Sequence, residues 1–284
     1  MMKTLTALTL AFGLGACDAA VSGEPGLASN GAIHFESCGS GPQAIVLLHD
    51  GLLDSASFEG VWTNLCRDFH VVRYDRRGYG KSPAASGPYS QIDDLAAVIA
   101  VAKLDHVTVV GVSSGGGIAL DYALDHPQTV DRIVLVGAQI NGFTLSDHFN
   151  TRNRRAFVPM LIGSVDGVAN NWLNDPYLFA PGDQAAQDQA RALWKANPQD
   201  ISHLRNDPER RGPSALPRLQ GLKVPTLIVV GDHDIPDVQA MAGAAQVLIP
   251  GARRVVIENS GHLVHLEQPE RLASLIRDFV RNGQ

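Results

Sequence analysis

Short runs of β-branched and aliphatic residues recur along most of the chain, and stretches with helical spacing of apolar residues separate them. Runs that are hydrophobic on both faces are typical of parallel strands buried within a sheet. Strands are predicted at residues 32–37, 45–49, 71–74, 107–112, 132–136, 226–230 and 254–258, and helices at residues 57–66, 92–103, 115–125, 238–248 and 269–280. This alternation predicts an α/β fold with a mainly parallel sheet and helices on both faces.

The alternation breaks once, between residues 139 and 223. This stretch has no strand-like run, and it contains prolines, which central strands exclude, at positions 159, 176, 181, 198, 208, 213 and 217. We therefore predict a helical cap over residues 140–222, inserted into an α/β core that is formed by residues 32–139 and 223–284.

The most informative motif is Gly-Val-Ser-Ser-Gly at residues 111–115. It lies where a predicted strand ends and a helix of small residues begins, and Gly-x-Ser-x-Gly in that context is typical of a nucleophile elbow. The sharp turn strains the backbone of the serine, and small neighbours let the strand and the helix approach each other. Ser113 is therefore the predicted nucleophile.

A serine hydroxyl is a weak nucleophile, so it needs a histidine base and an acid that orients the histidine. The acidic turn Gly-Asp-His-Asp at residues 231–234 follows a predicted strand, and Asp234 is the predicted acid. His262 follows the last predicted strand and a glycine, and it is the predicted base. The order Ser113, Asp234, His262 is the order found in α/β-hydrolases.

Four motifs together resemble the α/β-hydrolase superfamily, in particular its capped esterases, lactonases and perhydrolases. Two of them are the elbow and the pair of acid and histidine turns. The third, Ile-Val-Leu-Leu-His-Asp-Gly at residues 45–51, resembles the His-Gly oxyanion strand, and the fourth, Tyr-Asp-Arg-Arg-Gly-Tyr-Gly-Lys-Ser at residues 74–82, resembles the Asp-x-Arg-Gly-x-Gly-x-Ser loop. The resemblance implies that the cap is inserted after the sixth strand of the fold.

The resemblance also implies that the backbone N–H groups of Gly51 and Ser114 form an oxyanion hole. Asp50 stands where the family usually has glycine. A carboxylate directed at the oxyanion would oppose the developing charge, so we expect this side chain to face away. The family's Gly-x-x-Asp spacing favours Asp234 over Asp232 as the acid, because aspartates also cap turns and helices routinely.

Other polar residues of these motifs have structural interpretations. His49 and His265 are interpreted as structural histidines, and the Arg76-Arg77 pair as a turn and packing feature. In the cap, the arginines at positions 152, 154 and 155 are interpreted as a solvated helix face rather than as a carboxylate site. Some of the cap aromatics are expected to line an apolar pocket above the nucleophile, namely among Phe143, Phe149, Phe157, Trp172, Tyr177, Phe179 and Trp194.

The first residues have the pattern of an export signal. Lys3 precedes an uncharged stretch at residues 4–16, which is too short to span a bilayer but long enough for a signal-peptide core. We predict a signal peptide at residues 1–16 and a flexible tether at residues 17–31. Leu-Gly-Ala-Cys at residues 14–17 resembles a bacterial lipobox, which would make Cys17 a lipidated first residue; cleavage after residue 19 or 20 is the alternative.

The other two cysteines bear on the compartment. Cys38 and Cys66 both fall at the predicted edge of the sheet opposite the active site, so they could meet. In an oxidising compartment these positions favour a disulfide as much as two buried thiols. The predicted location is the periplasmic face of a bacterial membrane for a lipoprotein, or the periplasm for a soluble form.

Composition excludes several other classes. The chain has 284 residues, 45% of them hydrophobic, so it can form a full core. A net charge of −6 without long charged runs does not favour nucleic acid as a partner. The chain has no paired metal-ligand spacing and no phosphate-binding loop, so no metal and no cofactor are expected. Oligomeric state is not predicted.

The predicted function is hydrolysis of a small carboxylic ester or lactone through an acyl-enzyme intermediate. C–C bond hydrolysis or perhydrolysis on the same triad is an alternative enzyme function. A receptor-like, ligand-binding role on a hydrolase scaffold is the alternative from another class, because fold does not fix function. An aspartate-nucleophile dehalogenase or epoxide hydrolase is disfavoured because a serine occupies the elbow.

Overall fold

The computed structural model describes residues 23–29, 32–202, 209 and 212–283. The predicted signal peptide, Cys17 and residues 17–22 of the predicted tether lie outside this range. None of the helices in the described ranges is both long enough and apolar enough to cross a membrane.

Eight strands of the described chain form one sheet in the order β1-β2-β4-β3-β5-β6-β7-β8. β2 pairs antiparallel with β1 and β4, and the remaining pairs are parallel. The strands are β1 (Glu24–Ala28), β2 (Ile33–Cys38), β3 (Ala44–Leu48), β4 (His70–Tyr74), β5 (Val107–Val112), β6 (Val130–Val136), β7 (Thr226–Gly231) and β8 (Arg253–Ile257). The predicted α/β fold with a mainly parallel sheet is confirmed.

The predicted tether is wrong at residues 24–28, because these residues form the edge strand β1; residues 30 and 31 lie outside the described ranges. This strand pairs with β2 along its whole length, from Glu24 opposite Ser37 to Ala28 opposite Ile33. Its sequence, Glu-Pro-Gly-Leu-Ala, has no strand periodicity, and proline is tolerated there because an edge strand leaves some N–H groups unpaired. Backbone pairing rather than side-chain pattern therefore defines β1.

Helices cover both faces of the sheet, because alternate residues of the strands point to opposite sides. One face packs on α1 (Glu59–Leu65), on the single turn α9 (Val264–Glu267) and on α10 (Pro269–Asn282). The other face packs on α2 (Gln91–Val101), α3 (Ser114–Asp125) and α8 (Pro236–Leu248). In α10 the buried residues recur at helical spacing, at Leu272, Ile276 and Phe279, and burying each such side chain contributes about 1.5–3 kcal/mol.

In the described part of the segment between β6 and β7, four α-helices form a layer over the carboxyl ends of the parallel strands. They are α4 (Asp147–Phe157), α5 (Val165–Leu173), α6 (Gln184–Ala196) and α7 (Gln199–Ser202). Ser146, Ser164 and Asp183 cap the first three of them by accepting a main-chain N–H with their side chains. The layer has its own apolar cluster, which includes Trp172 and Trp194 and extends onto the core through Leu53, Leu263 and Leu266.

Polar contacts fix this layer to the core. The carboxylate of Asp237 on α8 accepts hydrogen bonds from the main-chain N–H and the hydroxyl of Ser146, at 2.6 and 2.7 Å. Asp200 on α7 accepts the N–H of Gly80 at 2.8 Å. These bonds leave a cleft between the helical layer and the carboxyl ends of the parallel strands.

A disulfide lies near the amino ends of the parallel strands, at the end of the sheet opposite the cleft. Cys38 ends β2 and Cys66 directly follows α1; the two are joined, with their Cα atoms 5.6 Å apart. Cys38 is opposite Val71 near the start of β4, so the bridge is far from the carboxyl ends of the parallel strands.

Candidate active site

Ser113 lies at the apex of the turn between β5 and α3. Its backbone has φ 52° and ψ −117°, a conformation that L-residues rarely adopt and that is typical of a nucleophile elbow. The turn is tight because α3 starts against β3: a Cβ on Gly115 would overlap the carbonyl oxygens of Leu48 and His49. A glycine at position 115 is therefore required by this close approach.

The structure brings the three predicted triad residues together. The Ser113 Oγ lies 2.8 Å from Nε2 of His262, and Nδ1 of the same ring lies 2.8 Å from the Asp234 Oδ1. All three residues are buried, with 4–5% of their surface exposed. The hydroxyl can donate to the imidazole and the imidazole to the carboxylate, which is the arrangement that nucleophilic catalysis by serine requires.

Loops at the ends of β7 and β8 hold the acid and the base. Asp234 follows β7, and its Oδ1 also accepts the main-chain N–H of Ile235 at 2.7 Å. His262 follows β8, and its main-chain N–H donates to the carbonyl of Tyr177 in the cap segment at 2.9 Å. The candidate base His262 is therefore positioned by both the core and the cap.

The two neighbouring aspartates have other partners. The Asp232 carboxylate accepts the N–H of Ser260 at 3.0 Å and contacts His233 at 2.7 Å. Desolvation raises the pKa of Asp232, but these hydrogen bonds outweigh it and lower the pKa to about 2. Asp237 is bonded to Ser146. Only Asp234 among the three contacts the His262 ring.

Gly137 also belongs to this site, although no sequence motif marks it. It directly follows β6 and has φ +52°. A Cβ here would lie 3.0 Å from the Asp234 Oδ2 and 3.1 Å from the His262 Nδ1. A side chain at this position would press on the acid–base pair. The only signal in the sequence was a glycine directly after a buried strand.

The predicted oxyanion residues Gly51 and Ser114 lie side by side next to Ser113. A Cβ on Gly51 would lie 3.1 Å from the Ser114 Oγ, and all three residues line the same cavity. Ser114 is the first residue of α3, so its N–H has no partner within the helix. Two main-chain N–H groups are thus near the nucleophile.

The Asp50 carboxylate accepts hydrogen bonds from the main chain of its own turn. Its Oδ1 accepts the N–H groups of Leu52 and Leu53, at 2.6 and 3.1 Å, and its Oδ2 lies 3.7 Å from Nε2 of His265. Burial raises the pKa of Asp50 to about 6. Burial, reinforced by the charge of a protonated His262, lowers the pKa of His265 to about 3, so this histidine is neutral at physiological pH.

A cavity of about 430 Å³ opens above Ser113. The cap contributes apolar side chains to it, from Phe149, Phe157, Trp172 and Leu178, and the core contributes Ile235 and Val238. Polar side chains also line it, so the cavity is less apolar than the sequence predicts. Phe143 and Tyr177 line a neighbouring pocket instead, and Phe179 and Trp194 are packed between the cap and the core.

Arg152 differs from its interpretation as part of a solvated helix face. Its guanidinium bonds the Asp175 carboxylate through Nε and Nη2, at 2.6 and 2.9 Å, and lies over the Trp172 ring at 4.8 Å. Only 8% of its side chain is exposed. Arg154 and Arg155 are exposed, as expected. Arg152 therefore braces the cap wall of the cavity with its charge paired.

His, Cys, Asp and Glu side chains of the described ranges do not gather into a group of three that could hold a metal ion. The arrangement around Ser113 combines the candidate nucleophile, the candidate base His262 and the candidate acid Asp234 with the main-chain N–H groups of Gly51 and Ser114. Such a set can transfer an acyl group.

Comparisons with known proteins identify the family of the chain. A family model described as the alpha/beta hydrolase fold matches residues 43–269. The pimeloyl-[acyl-carrier protein] methyl ester esterase of Nitrosomonas europaea is 28% identical over 262 residues, covering 86% of this chain and 97% of that protein. A carboxylesterase of Bacillus subtilis is 26% identical over 260 residues, covering 86% and 83%.

A solved structure of a thermophilic esterase from Thermogutta terrifontis, with malate bound, superposes with a TM-score of 0.75. It is 25% identical, and the match covers 92% of this chain and 97% of that one. The family model spans well over half of the chain. The chain therefore belongs to the alpha/beta hydrolase family.

Proposed function

We propose that this protein is a serine hydrolase that cleaves a small carboxylic ester or lactone through an acyl-enzyme intermediate. The observation that carries the proposal is the continuous chain of 2.8 Å contacts from the Ser113 Oγ through the His262 ring to the Asp234 carboxylate. A buried serine in a strained elbow with this partner chain is costly to maintain without a chemical role.

In the first half of the reaction, the Ser113 Oγ attacks the substrate carbonyl while His262 takes the hydroxyl proton. Asp234 orients the ring and stabilises the imidazolium that forms. The N–H groups of Gly51 and Ser114 bind the oxygen that becomes negative, and one such donor contributes roughly 3 kcal/mol to transition-state stabilisation. His262 then gives the proton to the leaving alcohol oxygen, which departs.

In the second half, water attacks the acyl group on Ser113. His262 removes a proton from this water and returns it to the Ser113 Oγ as the acyl bond breaks. A carboxylic acid leaves, and the free serine is restored. A lactone follows the same steps, except that the alcohol and the acid remain on one molecule.

The substrate size and class rest on the cavity and on the relatives. A volume of about 430 Å³ suits a short or cyclic acyl group better than a long fatty chain. The named relatives from Nitrosomonas and Bacillus are a methyl ester esterase and a carboxylesterase. Both features favour a small carboxylic ester.

A fluorophosphonate probe and a substrate panel test the proposal. We expect the probe to label Ser113, and we expect turnover of short p-nitrophenyl esters or of lactones to decline as the acyl chain lengthens. Ser113→Ala should abolish both labelling and turnover without unfolding the protein, whereas Ser86→Ala, which changes an exposed serine, should alter neither.

Labelling that persists in Ser113→Ala would contradict the assignment of the nucleophile. Tight binding of panel compounds without turnover by the wild-type protein would favour the receptor-like alternative.

We further propose that the protein is exported and that Cys17 carries lipid, on the basis of the sequence pattern alone. Mass spectrometry of the mature protein tests this, because a lipidated protein begins at Cys17 with an added acyl mass. Cys17→Ala should move the protein from the membrane fraction to the soluble fraction. A mature N-terminus at residue 20 or 21 would contradict the anchor.

A further inference from the structure

Arg76 has an unusual position beside the oxyanion loop. It lies two residues after β4, is 5% exposed and lines the cavity above Ser113. Its Nη1 is directed at oxygens of uncharged groups: the Ser114 Oγ at 2.8 Å, the carbonyl of Asp50 at 3.1 Å and the carbonyl of His49 at 3.3 Å. Burying a cation is costly unless its hydrogen bonds are put to use.

The partners of Arg76 include the carbonyl of the peptide that carries the Gly51 N–H. In a planar trans peptide, the C=O and the following N–H point in opposite directions. A bond that holds the Asp50 carbonyl toward Arg76 therefore turns the Gly51 N–H away from the guanidinium. This carbonyl oxygen also lies 2.8 Å from Nδ1 of His49, so two side chains fix the orientation of one peptide.

The His49 ring is itself held in one tautomer. Its Nε2 accepts the main-chain N–H of Arg76 at 2.9 Å, which leaves the proton on Nδ1 for the Asp50 carbonyl. On the far side of Gly51, the hydroxyl of Tyr79 donates to the Gly51 carbonyl at 3.0 Å. The loop at residues 74–82 thus holds the peptide on each side of Gly51.

A cationic donor does more than fix a direction. Hydrogen bonds from charged groups are about twice as strong as neutral ones. Such a bond withdraws electron density from the carbonyl, and bonds in a chain strengthen one another in a low-dielectric site. The Gly51 N–H on the same peptide becomes a better donor toward a negative oxygen. Through the Ser114 Oγ, the same guanidinium also contacts the residue that supplies the second N–H.

We propose that Arg76 is a positioning residue for the oxyanion hole, which orients and polarises the Gly51 N–H and fixes Ser114 beside it. This role rests on the proposed serine hydrolase function. The effect of Arg76 is expected in the transition state. The N–H groups of Gly51 and Ser114, which Arg76 positions, bind an oxygen that becomes negative only there.

The neighbouring arginine provides a contrast. Arg77 bonds the buried carboxylate of Asp94 through Nε and Nη2, at 2.6 and 2.7 Å, and contributes no lining to the cavity. The turn and packing role that the sequence suggests for the pair therefore describes Arg77 only. Arg77→Lys is a matched control, since it weakens a bidentate ion pair on the same loop.

The test separates kcat from KM in the full chain. Arg76→Met, which keeps the length and removes the charge, should lower kcat for a short ester by about 10- to 100-fold with KM nearly unchanged, less than the loss of a whole oxyanion donor. Affinity for a boronic acid that forms a tetrahedral adduct on Ser113 should fall by a similar factor. Arg76→Lys should recover part of both losses.

Arg77→Lys should lower the melting temperature without that selective loss of kcat and of boronate affinity. If Arg76→Met does not fold, Arg76→Lys carries the test, because a compact ammonium replaces the planar guanidinium only in part and should still leave a measurable loss of kcat. Wild-type kcat and boronate affinity in a folded Arg76 variant would overturn the role of Arg76 alone. A wild-type protein that neither hydrolyses esters nor reacts with a fluorophosphonate would overturn the proposed function and this role with it.

Discussion

The main-chain N–H of His262 donates to the carbonyl of Tyr177 at 2.9 Å, and that of Leu263 donates to Leu178 at 3.2 Å. Two successive residues at the candidate base are thus hydrogen-bonded to the cap segment. Glu267 reinforces the contact, since its carboxylate accepts the N–H groups of both Ala180 and Gly261. The cap therefore helps to position the candidate base His262, and it also forms one wall of the cavity.

Asp234→Asn should reduce kcat by about 10⁴-fold, because an amide at this position favours the wrong tautomer of the histidine. The measurement is kcat for a short p-nitrophenyl ester, with circular dichroism to verify folding. Asp232→Asn is the control; it removes a carboxylate that bonds Ser260 and His233 rather than His262. A larger loss of kcat in Asp232→Asn than in Asp234→Asn would contradict the assignment of Asp234 as the acid.

Gly137→Ala should lower activity strongly, since the added methyl group would press on both Asp234 and His262. The positive φ adds strain of roughly 1–3 kcal/mol. Gly163→Ala is the control, because Gly163 also has a positive φ, of +73°, but a Cβ there meets nothing within 4 Å. Both variants should lose stability, and only Gly137→Ala should lose kcat. Equal kcat in the two variants would remove Gly137 from the site.

Asp50→Asn should stabilise the protein at pH 8 but not at pH 3.5. Burial raises the pKa of Asp50 from its ordinary value of 3.8 to about 6, so ionising this carboxyl costs folding free energy. The stability that the protonated Asp50 carboxyl contributes to the folded protein is fully present below about pH 3.8, its pKa in the unfolded chain. It is lost as the pH rises through about 6, its pKa in the folded protein. The loss is on the order of 3 kcal/mol.

Melting temperatures at pH 3.5 and pH 8 measure this effect, and the comparison with wild type cancels the other titrating groups. Asp105→Asn, which changes an exposed carboxylate, should leave the pH dependence unaltered. An Asp50→Asn protein with the pH dependence of wild type would show that the buried carboxyl ionises without cost.

Reduction of the Cys38–Cys66 bridge should lower the melting temperature by roughly 5–10 °C. The bridge spans 28 residues in sequence, and closing a loop of this size contributes about 3–4 kcal/mol in the chain-entropy model. A Cys38→Ala/Cys66→Ala double variant should be insensitive to the reductant. Free thiols at both positions in protein from an oxidising compartment would contradict the bridge. Activity should change little, because the bridge lies at the far edge from Ser113.

The sequence predicts well those features that follow from local order along the chain. Ser113 directly follows a strand-like hydrophobic run, and Asp234 and His262 lie in the short loops after two others, so their place at the carboxyl ends of the strands follows from the parallel sheet. Apart from the single turn α9, the helices that pack on the faces of the sheet, and seven of the eight described strands, are likewise readable from the hydrophobic pattern.

Features that depend on contacts between distant segments were not predictable. β1 forms because β2 offers a pairing edge, and its own Pro-Gly sequence gives no strand signal. The burial of Arg152 requires Asp175 and Trp172 on other segments of the cap. The roles of Gly137 and Arg76 depend on side chains or carbonyls brought close by folding, so no spacing rule identifies them.

The direction of β1 has a consequence for the orientation of the protein at a surface. This strand begins at Glu24 opposite Ser37, near the disulfide edge of the sheet, and runs toward the edge that carries Ser113. The seven residue steps between Cys17 and Glu24 span at most about 25 Å when extended. A lipid on Cys17 would thus be attached through the disulfide end of the sheet, which is the end remote from the mouth of the cavity.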